Sequence, residues 1–225
     1  MYSKEKEMNK KPHAGEGTGY YDIKTDDADK SDLSLSIEEW FYVKDVQQRK
    51  FFIDSEIEQC LITDIVRHIL QINREDRDIP VEERRPIILY VTTCGGEVDA
   101  GYELIDVIEN SVTPVYTVNL GYAYSMGLMI FIAGHKRFAT KHSTFLMHDG
   151  TVWAYDSSSK TQDKMAFYHE FDEYTKQFVL AHSNITEQEY DDKQRVEWYM
   201  FAEAAKKHGF VDSIIGVDCK LEEVV

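Results

Sequence analysis

The chain has 225 residues, with 25 Lys+Arg against 41 Asp+Glu, so its formal net charge at pH 7 is −16. This acidic balance argues against a protein that binds nucleic acid or an anionic membrane, because both interactions rely on clustered positive charge. Hydrophobic residues make up 43% of the chain, which is ordinary for a globular protein, and the length predicts one domain, or one domain with a tail.

Residues 1–32 are predicted to form a flexible N-terminal arm. They are rich in Lys, Glu, Asp, Gly and Ser, and such a segment buries too little apolar surface to offset its ordering entropy. The pair Tyr20–Tyr21 is the one sign that part of the arm docks. We expect a single folded domain over residues 33–225. The sequence shows no signal peptide and no apolar run long enough to span a bilayer, so we expect a cytoplasmic protein without a membrane partner.

The cysteines give no sign of a disulfide framework or of a metal site. Cys60, Cys94 and Cys219 are odd in number, widely spaced and outside any CxxC or metal-ligand pattern. Reduced thiols in the cytoplasm are the simplest interpretation. We therefore expect neither a metal nor another cofactor.

The first half of the domain alternates between strands and helices. An apolar stretch at Lys50–Asp54 predicts a strand, and apolar residues at steps of three and four over Ile57–Ile72 predict an amphipathic helix. The continuous apolar run Ile87–Val91 predicts a buried strand, followed by a helix over Ala100–Asn110 and a strand over Val115–Val118. This alternation predicts a parallel sheet covered by helices.

The second half begins with a buried helix that starts near Ser125. Two short strands around a turn are predicted at Lys136–Thr140 and Thr144–Asp149, and the longest helix at Ser159–His182. That helix carries an apolar stripe at spacings of three and four from Met165 to Phe178. Later elements are predicted as helices at Thr186–Asp192 and Ala202–His208 and a closing strand at Val211–Ile215.

Ser125 is a candidate nucleophile. It lies between small residues and glycines in GYAYSMGLMIFIAG, directly before the buried helix. A tight turn there would hold the hydroxyl, and the amide of Met126 would point the same way at the positive end of the helix dipole. The alternative interpretation is a serine that caps the helix.

His148 is the candidate base among eight histidines. It ends the apolar strand TFLMH, where the backbone can hold it at a sheet edge. Strand alternation places Thr144, Leu146 and His148 on one face. The other histidines lie in the arm, in loops or on helices, where a solvated or capping role is the simpler interpretation.

The pair Gly95–Gly96 follows a buried strand, and two glycines let the backbone approach a ligand closely. One of their amides could serve as an oxyanion donor, although a plain strand-to-helix turn explains the pair equally well. The next carboxylates, Glu97 and Asp99, are typical of a helix N-terminus.

Four segments in this order resemble the proteolytic subunit of the Clp protease (ClpP). They are TTCGGEVDAGYELIDVIE, GYAYSMGLMIFIAG, KRFATKHSTFLMHDG and FAEAAKKHGFVDSII. The resemblance covers roughly Phe51–Ile215 and runs without a gap from Gly96 to Ser125. It implies an α/β fold of the crotonase-like superfamily, a spiral of strand-strand-helix units with a protruding handle helix at about 159–182.

The resemblance also implies a serine endopeptidase and assigns roles by position. Ser125 corresponds to the nucleophile and His148 to the general base. Gly96 and Met126 correspond to the donors of the oxyanion hole. The third catalytic position, an aspartate in the family, is occupied by Glu197, and Asp192 or Asp191 would replace it if the alignment slips locally.

Other departures concern the substrate groove and the assembly. Cys94 replaces a family proline, and we expect its thiol to pack in the turn. The glycine-rich strand that follows the histidine in the family is TVWAYDSSS here, so Trp153 and Tyr155 are expected to reshape the groove. The family's Asp-Arg pair, which helps to link two rings, is replaced by Arg195–Val196.

By resemblance, the chain would form a heptameric ring, and with a second ring a tetradecamer, around an internal chamber. A Clp-type AAA+ ATPase would unfold protein substrates and feed them in. Three alternatives stay open from the sequence: a catalytically impaired structural subunit of a mixed ring, a viral capsid-maturation protease of the same fold, and an acyl-CoA enzyme of the crotonase type.

Overall fold

The computed structural model describes residues 20–21, 35–151 and 155–224, and of residues 20–21 it describes the backbone alone. The chain divides into two compact units, Met1–Gln48 and Arg49–Val225. Within the described residues no helix is both long and apolar enough to cross a membrane.

The first unit contains a short strand pair and one helix. Strand β1 (Tyr20–Tyr21) pairs antiparallel with β2 (Leu35–Ser36), and α1 (Ile37–Gln47) follows directly. A capping box starts α1: Ser36 Oγ accepts from the Glu39 amide at 3.2 Å, and the Glu39 carboxylate accepts from the Ser36 amide at 2.8 Å. The tyrosine pair singled out in the arm therefore lies in a strand; the rest of residues 1–32 lies outside the described residues.

In the described part of the second unit, the strands are β3 (Lys50–Ile53), β4 (Ile87–Val91), β5 (Val115–Asn119), β6 (Tyr122–Tyr124), β7 (Lys136–Thr140), β8 (Thr144–Met147), β9 (Trp198–Phe201) and β10 (Ser213–Ile215). The helices are α2 (Gln59–Glu75), α3 (Val98–Glu109), α4 (Met126–Ile132), α5 (Ser158–Ala181), α6 (Glu187–Lys193) and α7 (Ala202–Lys207). Short 3₁₀ turns occupy Val81–Glu83 and Leu221–Glu223.

The larger sheet has five strands in the order β10-β7-β5-β4-β3, and every neighbouring pair is parallel. All residues of β4 are buried, as expected for a central parallel strand. Helices α2 and α3 bury one apolar stripe each, whereas α4 is buried on all sides, which explains its wholly apolar sequence. The predicted α/β fold with a helix-covered parallel sheet is confirmed.

A second sheet of three strands, in the order β6-β8-β9, carries the site. Strands β6 and β8 are parallel, and β8 and β9 are antiparallel. Strands β7 and β8 lie on either side of a turn, as predicted. They join different sheets. The buried Ser143 between them donates its hydroxyl to Asn119 O at 2.7 Å. Strands β6 and β9 were not predicted.

Helix α5 lies within one residue of the predicted long helix at each end. Its C-terminal turns are packed, with Phe178 and Val179 buried, whereas Met165 is 43% and Tyr174 59% exposed. The apolar stripe is therefore buried at the C-terminal end of α5 and exposed over the preceding turns. The C-terminal half of α5 packs on α3, where the ring of Tyr102 contacts those of Phe171, Tyr174 and Phe178.

A buried ion pair ties the start of β3 to the end of α2. The Arg49 guanidinium donates to both carboxylate oxygens of Asp76, at 2.6 and 2.7 Å, and Thr113 Oγ1 donates to the same carboxylate at 2.9 Å. The hydrogen bond from Arg49 is the main reason that the pKa of Asp76 lies below its ordinary value. The pair fixes one edge of the parallel sheet.

Candidate active site

Ser125 lies in the turn between β6 and α4 with φ 54° and ψ −125°, a conformation that L-residues rarely adopt. Its amide donates to Leu146 O at 3.0 Å, and its carbonyl accepts from the Leu128 amide at 3.0 Å, so the backbone is fixed on both sides. The side chain makes no capping hydrogen bond with α4. The serine therefore does not act as a helix cap, and its strained backbone needs another explanation.

The loop Cys94–Gly96 packs directly on this turn. Gly95 has φ 104°, and a Cβ built there would lie 2.8 Å from Ser125 Cβ, so only glycine allows this approach. Gly96 has φ 150°, and its Cβ would lie 2.3 Å from Ile57 O. The amide of Ile57 donates to Gly95 O at 2.8 Å and its carbonyl accepts from the Glu97 amide at 2.9 Å. These two hydrogen bonds join Ile57 to the residues on either side of Gly96 and form a parallel β-bridge. In this arrangement the Gly96 N–H points away from Ile57.

Two backbone amides near Ser125 are available to a ligand. Neither the Gly96 N–H nor the Met126 N–H takes part in a hydrogen bond within the described residues. Met126 is the first residue of α4, and the amides of a first helical turn have no partner inside the helix. The Met126 side chain packs so closely on α3 that a Cβ at Gly101 would lie 2.2 Å from its sulfur. Helix packing thus fixes the start of α4.

Thr93 joins the glycine loop to the serine turn, a role that no sequence pattern indicated beyond its place after a buried strand. Its hydroxyl donates to Ser55 O at 2.6 Å and accepts from the Gly95 amide at 3.1 Å. Its carbonyl accepts from the Tyr124 amide at 3.0 Å. A Cβ at Gly127 would lie 2.5 Å from the Thr93 methyl group. The loop and the turn are therefore held as one unit.

His148 and Glu197 form a hydrogen bond across the small sheet. Their Nδ1 and Oε1 atoms are 2.9 Å apart, and the side chains are 26% and 59% exposed. The antiparallel register pairs Met147 with Trp198, so the next position in each strand places the two residues opposite each other. A carboxylate only accepts hydrogen bonds, so Nδ1 carries the proton and Nε2 is left as an acceptor.

The two alternative carboxylates on α6 contact other groups. Asp191 lies 2.8 Å from Lys176 Nζ, and Asp192 accepts from the Gln188 side chain at 3.0 Å. Hydrogen bonds from Lys176 to Asp191 and to Glu187 raise the pKa of the lysine. Neither aspartate contacts His148, so Glu197 is the carboxylate that the fold brings to this histidine.

The other candidate groups also have structural partners. Glu97 is the N-cap of α3, and its carboxylate accepts from the Gln59 amide at the start of α2 at 3.2 Å. His135 accepts from the Val115 amide at 3.1 Å. His182 pairs with Glu109 at 3.0 Å. These contacts give Glu97, His135 and His182 structural roles.

Ser125 and His148 are held in the same neighbourhood by the backbone. Ser125 bonds to the carbonyl of Leu146, two residues before His148 on the same strand face. Within the described residues no hydrogen bond joins Ser125 Oγ to His148. Such bonds between a nucleophile and its base are often long in free enzymes and tighten when a substrate binds.

The described residues contain no group of three or more His, Cys, Asp or Glu that could hold a metal ion. Cys60 and Cys94 are exposed free thiols, so the prediction that the Cys94 thiol packs in the turn is wrong, and Cys219 is a half-buried free thiol. Tyr155 is fully exposed, and Trp153 lies outside the described residues. The expected effect of these two aromatic residues on the groove stays a prediction.

Comparison with known proteins decides the family. The model of the Clp protease family, "Clp protease", matches residues 38–218. The chain belongs to the Clp protease family. Proteolytic subunits of this family are serine peptidases. The resemblance found in the sequence is thereby confirmed.

Individual relatives support the same assignment. The chain is 32% identical over 174 residues to ATP-dependent Clp protease proteolytic subunit 1 of Frankia casuarinae, covering 74% of this chain and 76% of that protein. It is 29% identical over 175 residues to proteolytic subunit 2 of Thermobifida fusca, covering 76% and 82%. A match of 35% to proteolytic subunit 2 of Treponema pallidum spans 117 residues, 51% of this chain and 56% of that protein.

Proposed function

We propose that this chain is a catalytically competent serine endopeptidase subunit that cleaves unfolded polypeptides. The conformation of Ser125 carries this proposal. A backbone φ of 54° costs free energy in a residue other than glycine. In Ser125 this conformation places the hydroxyl beside two glycines, and the hydroxyl makes no capping hydrogen bond with α4. Strain of this kind at a strand-to-helix turn is typical of an activated nucleophile.

The proposed mechanism follows from the neighbours of Ser125. His148 Nε2 takes the hydroxyl proton as Ser125 Oγ attacks the peptide carbonyl carbon. Glu197, bound to Nδ1 at 2.9 Å, orients the ring and stabilises the imidazolium. The amides of Gly96 and Met126 stabilise the oxyanion, and each such donor typically lowers the barrier by about 3 kcal/mol. His148 then protonates the leaving amine, and water hydrolyses the acyl-enzyme with His148 again as the base.

We further propose that the chain works in a ring, a heptamer or a double ring of two heptamers, with the sites facing an internal chamber. The relatives are named ATP-dependent proteolytic subunits, which supports a Clp-type AAA+ ATPase as partner. The exposed aromatic side chains Phe167 and Tyr174 on α5 suit contact with another copy. The free exposed thiols of Cys60 and Cys94 suit the reducing cytoplasm.

The test is hydrolysis of unfolded casein and of a short fluorogenic peptide by the assembled protein, with and without a Clp-type ATPase. Ser125→Ala and His148→Ala should each lower kcat by roughly 10⁴-fold or more. His142→Ala is the matched control, since His142 is an exposed histidine in the loop before β8, and it should retain full activity. Equal turnover by wild type and Ser125→Ala would refute the proposal.

A structural subunit of a mixed ring is the second candidate. Two observations favour it: the third position holds an exposed glutamate, and Ser125 Oγ has no hydrogen bond to His148 within the described residues. This candidate predicts that the chain assembles with an active paralogue and that Ser125→Ala changes nothing in the mixed ring.

A further inference from the structure

The outward side of the three-stranded sheet carries aromatic side chains where the solvent side of a sheet usually carries polar ones. The register places six outward positions in two rows that run across the strands. The first row holds Tyr122, Thr144 and Phe201, and the second holds Tyr124, Leu146 and Tyr199. None of the six is charged. The aromatic face is the name used below for the four rings of Tyr122, Tyr124, Tyr199 and Phe201.

The opposite side of the same three strands belongs to the core. Ala123, Phe145 and Met200 alternate with the outward positions, and all three are buried. By contrast, Tyr199 is 58% and Phe201 66% exposed. Burial of the inner side fixes the register, so the fold holds these aromatic side chains at the surface. A cluster of exposed aromatic residues marks a contact surface.

The rings of the aromatic face are ordered by contacts with one another. Tyr124 meets Tyr199 edge-to-face, with the centroids 5.7 Å apart and an interplanar angle of 87°, and the ring of Tyr122 lies 5.2 Å from that of Tyr124. The Tyr124 hydroxyl is hydrogen-bonded to Thr144 Oγ1 at 2.8 Å. An apolar group can therefore pack on this surface without first ordering loose side chains, which lowers the entropy cost of binding.

The aromatic face adjoins the candidate catalytic groups. His148 and Glu197 form the next row on the same side of the sheet, because each lies two residues from a member of the second row. Strands rise about 3.3 Å per residue, so the row of Tyr199 lies about 7 Å from the row of Glu197, and the row of Phe201 about 13 Å from it. Tyr124 directly precedes Ser125 in the chain.

The proposed mechanism decides which part of a substrate meets this face. His148 protonates the leaving amine, so the residues that follow the scissile bond pass over His148. An extended polypeptide also rises about 3.3 Å per residue. Its second residue after the bond then reaches the row of Tyr199, and its fourth residue reaches the row of Phe201.

On the basis of the proposed peptidase function, we propose that the aromatic face is a substrate subsite for aromatic and large aliphatic side chains on the leaving-group side of the scissile bond. Its occupant is an unfolded polypeptide, whose apolar side chains are exposed. Continuity with the row of His148 and Glu197 favours the substrate over a second copy of the chain as the occupant. The uncharged surface suits apolar side chains and offers no partner to charged ones.

The first test measures kcat/KM for fluorogenic peptides that carry Phe or Gly at the second position after one scissile bond. The wild type should prefer Phe about two- to tenfold, the contribution of an aromatic pair. Tyr199→Ser should bring this ratio towards one, whereas Tyr199→Phe keeps the ring and should keep the ratio. Phe52→Ser is the matched control, since Phe52 is 42% exposed on β3 of the larger sheet. A wild-type ratio in Tyr199→Ser, or an equal fall in Phe52→Ser, would overturn the proposal.

Phe201→Ser gives a second measurement on the residue whose loss should disturb the fold least, because its ring is the most exposed of the four. This variant should lower the preference for Phe over Gly at the fourth position after the scissile bond by about two- to tenfold. Phe201→Tyr, which keeps a ring, should retain that preference. A preference at the fourth position that survives Phe201→Ser would overturn the assignment of the face.

Binding to protein that cannot cleave separates this proposal from the peptidase function. In a Ser125→Ala background, fluorescence anisotropy should show that the labelled Phe peptide binds about two- to tenfold more tightly than the Gly peptide. Adding Tyr199→Ser should remove the difference. This result would support the subsite even if the wild type cleaved no peptide, in which case the proposed function alone would fail. Cleavage without a preference for Phe would overturn the subsite and leave the peptidase function standing.

Light scattering tests the competing occupant, a second copy of the chain. Tyr199→Ser and Phe201→Ser should assemble as the wild type does, because the proposal assigns these side chains to the substrate. Loss of assembly in either variant would assign the face to a contact between copies and overturn the proposal.

Discussion

Replacing Gly96 by alanine should remove one of the two proposed oxyanion donors without touching a reacting side chain. The new Cβ would lie 2.3 Å from Ile57 O and 2.6 Å from Ile57 N, where ordinary contact begins near 3.4 Å. Both contacts are with backbone atoms of a hydrogen-bonded bridge, so the loop must move by about 1 Å. A displacement of about 1 Å costs roughly 10²-fold in rate, and loss of an oxyanion donor roughly 10²- to 10³-fold.

The assay is kcat for a fluorogenic peptide, measured on protein that assembles and melts as the wild type does. Gly216→Ala is the matched control, since Gly216 also has a positive φ of 87° but nothing lies within 4 Å of its built Cβ. The Gly216→Ala variant should lose about 1 kcal/mol of stability because of backbone strain, and it should keep the wild-type activity. Wild-type kcat in a folded Gly96→Ala protein would refute the assignment of the Gly96 amide.

Glu197→Gln should lower kcat by roughly 10³-fold with little change in KM, because an amide can force the wrong tautomer on His148. Asp191 pairs with Lys176 instead of His148, so Asp191→Asn should leave kcat unchanged. Equal losses of kcat in the two variants would contradict the assignment of Glu197. Asp76→Asn should cost about 3 kcal/mol in unfolding free energy at pH 7, since it leaves the Arg49 charge partly buried without its partner. The pKa of Asp76 is lowered in the folded state, so its ionised form stabilises the protein above the unfolded value near 3.8, and this stability is lost as the pH falls through the lower folded pKa. The free energy of unfolding, measured with denaturant from pH 5 down to pH 2.5, should therefore fall less in Asp76→Asn than in the wild type. An equal fall in the two proteins would contradict this prediction.

The sequence predicted the elements that carry a clear apolar pattern in their own residues. Ile87–Val91 is apolar throughout and forms the central strand, and the apolar run after Ser125 forms the buried helix α4. Strands β6 and β9, of three and four residues, were missed, and both pair with β8. That pairing joins segments distant in sequence, so no local pattern indicates it.

The candidate site shows the same division between local and long-range information. Glycine spacing and the following apolar run pointed to Ser125, but they did not indicate its positive φ or its close approach to Gly95. The position of Glu197 was assigned by resemblance, and its contact with His148 depends on the β8–β9 register.

An activated Ser125 is central to the proposed function, and mapping a fluorophosphonate adduct tests it directly. The assembled wild-type protein is treated with the probe, digested and analysed by peptide mass, with Ser125→Ala and His148→Ala in parallel. We predict an adduct on Ser125 in the wild type, none at that position in Ser125→Ala and strongly slowed labelling in His148→Ala. Assembled wild-type protein that takes up no probe at Ser125 would contradict an activated nucleophile and favour the structural subunit.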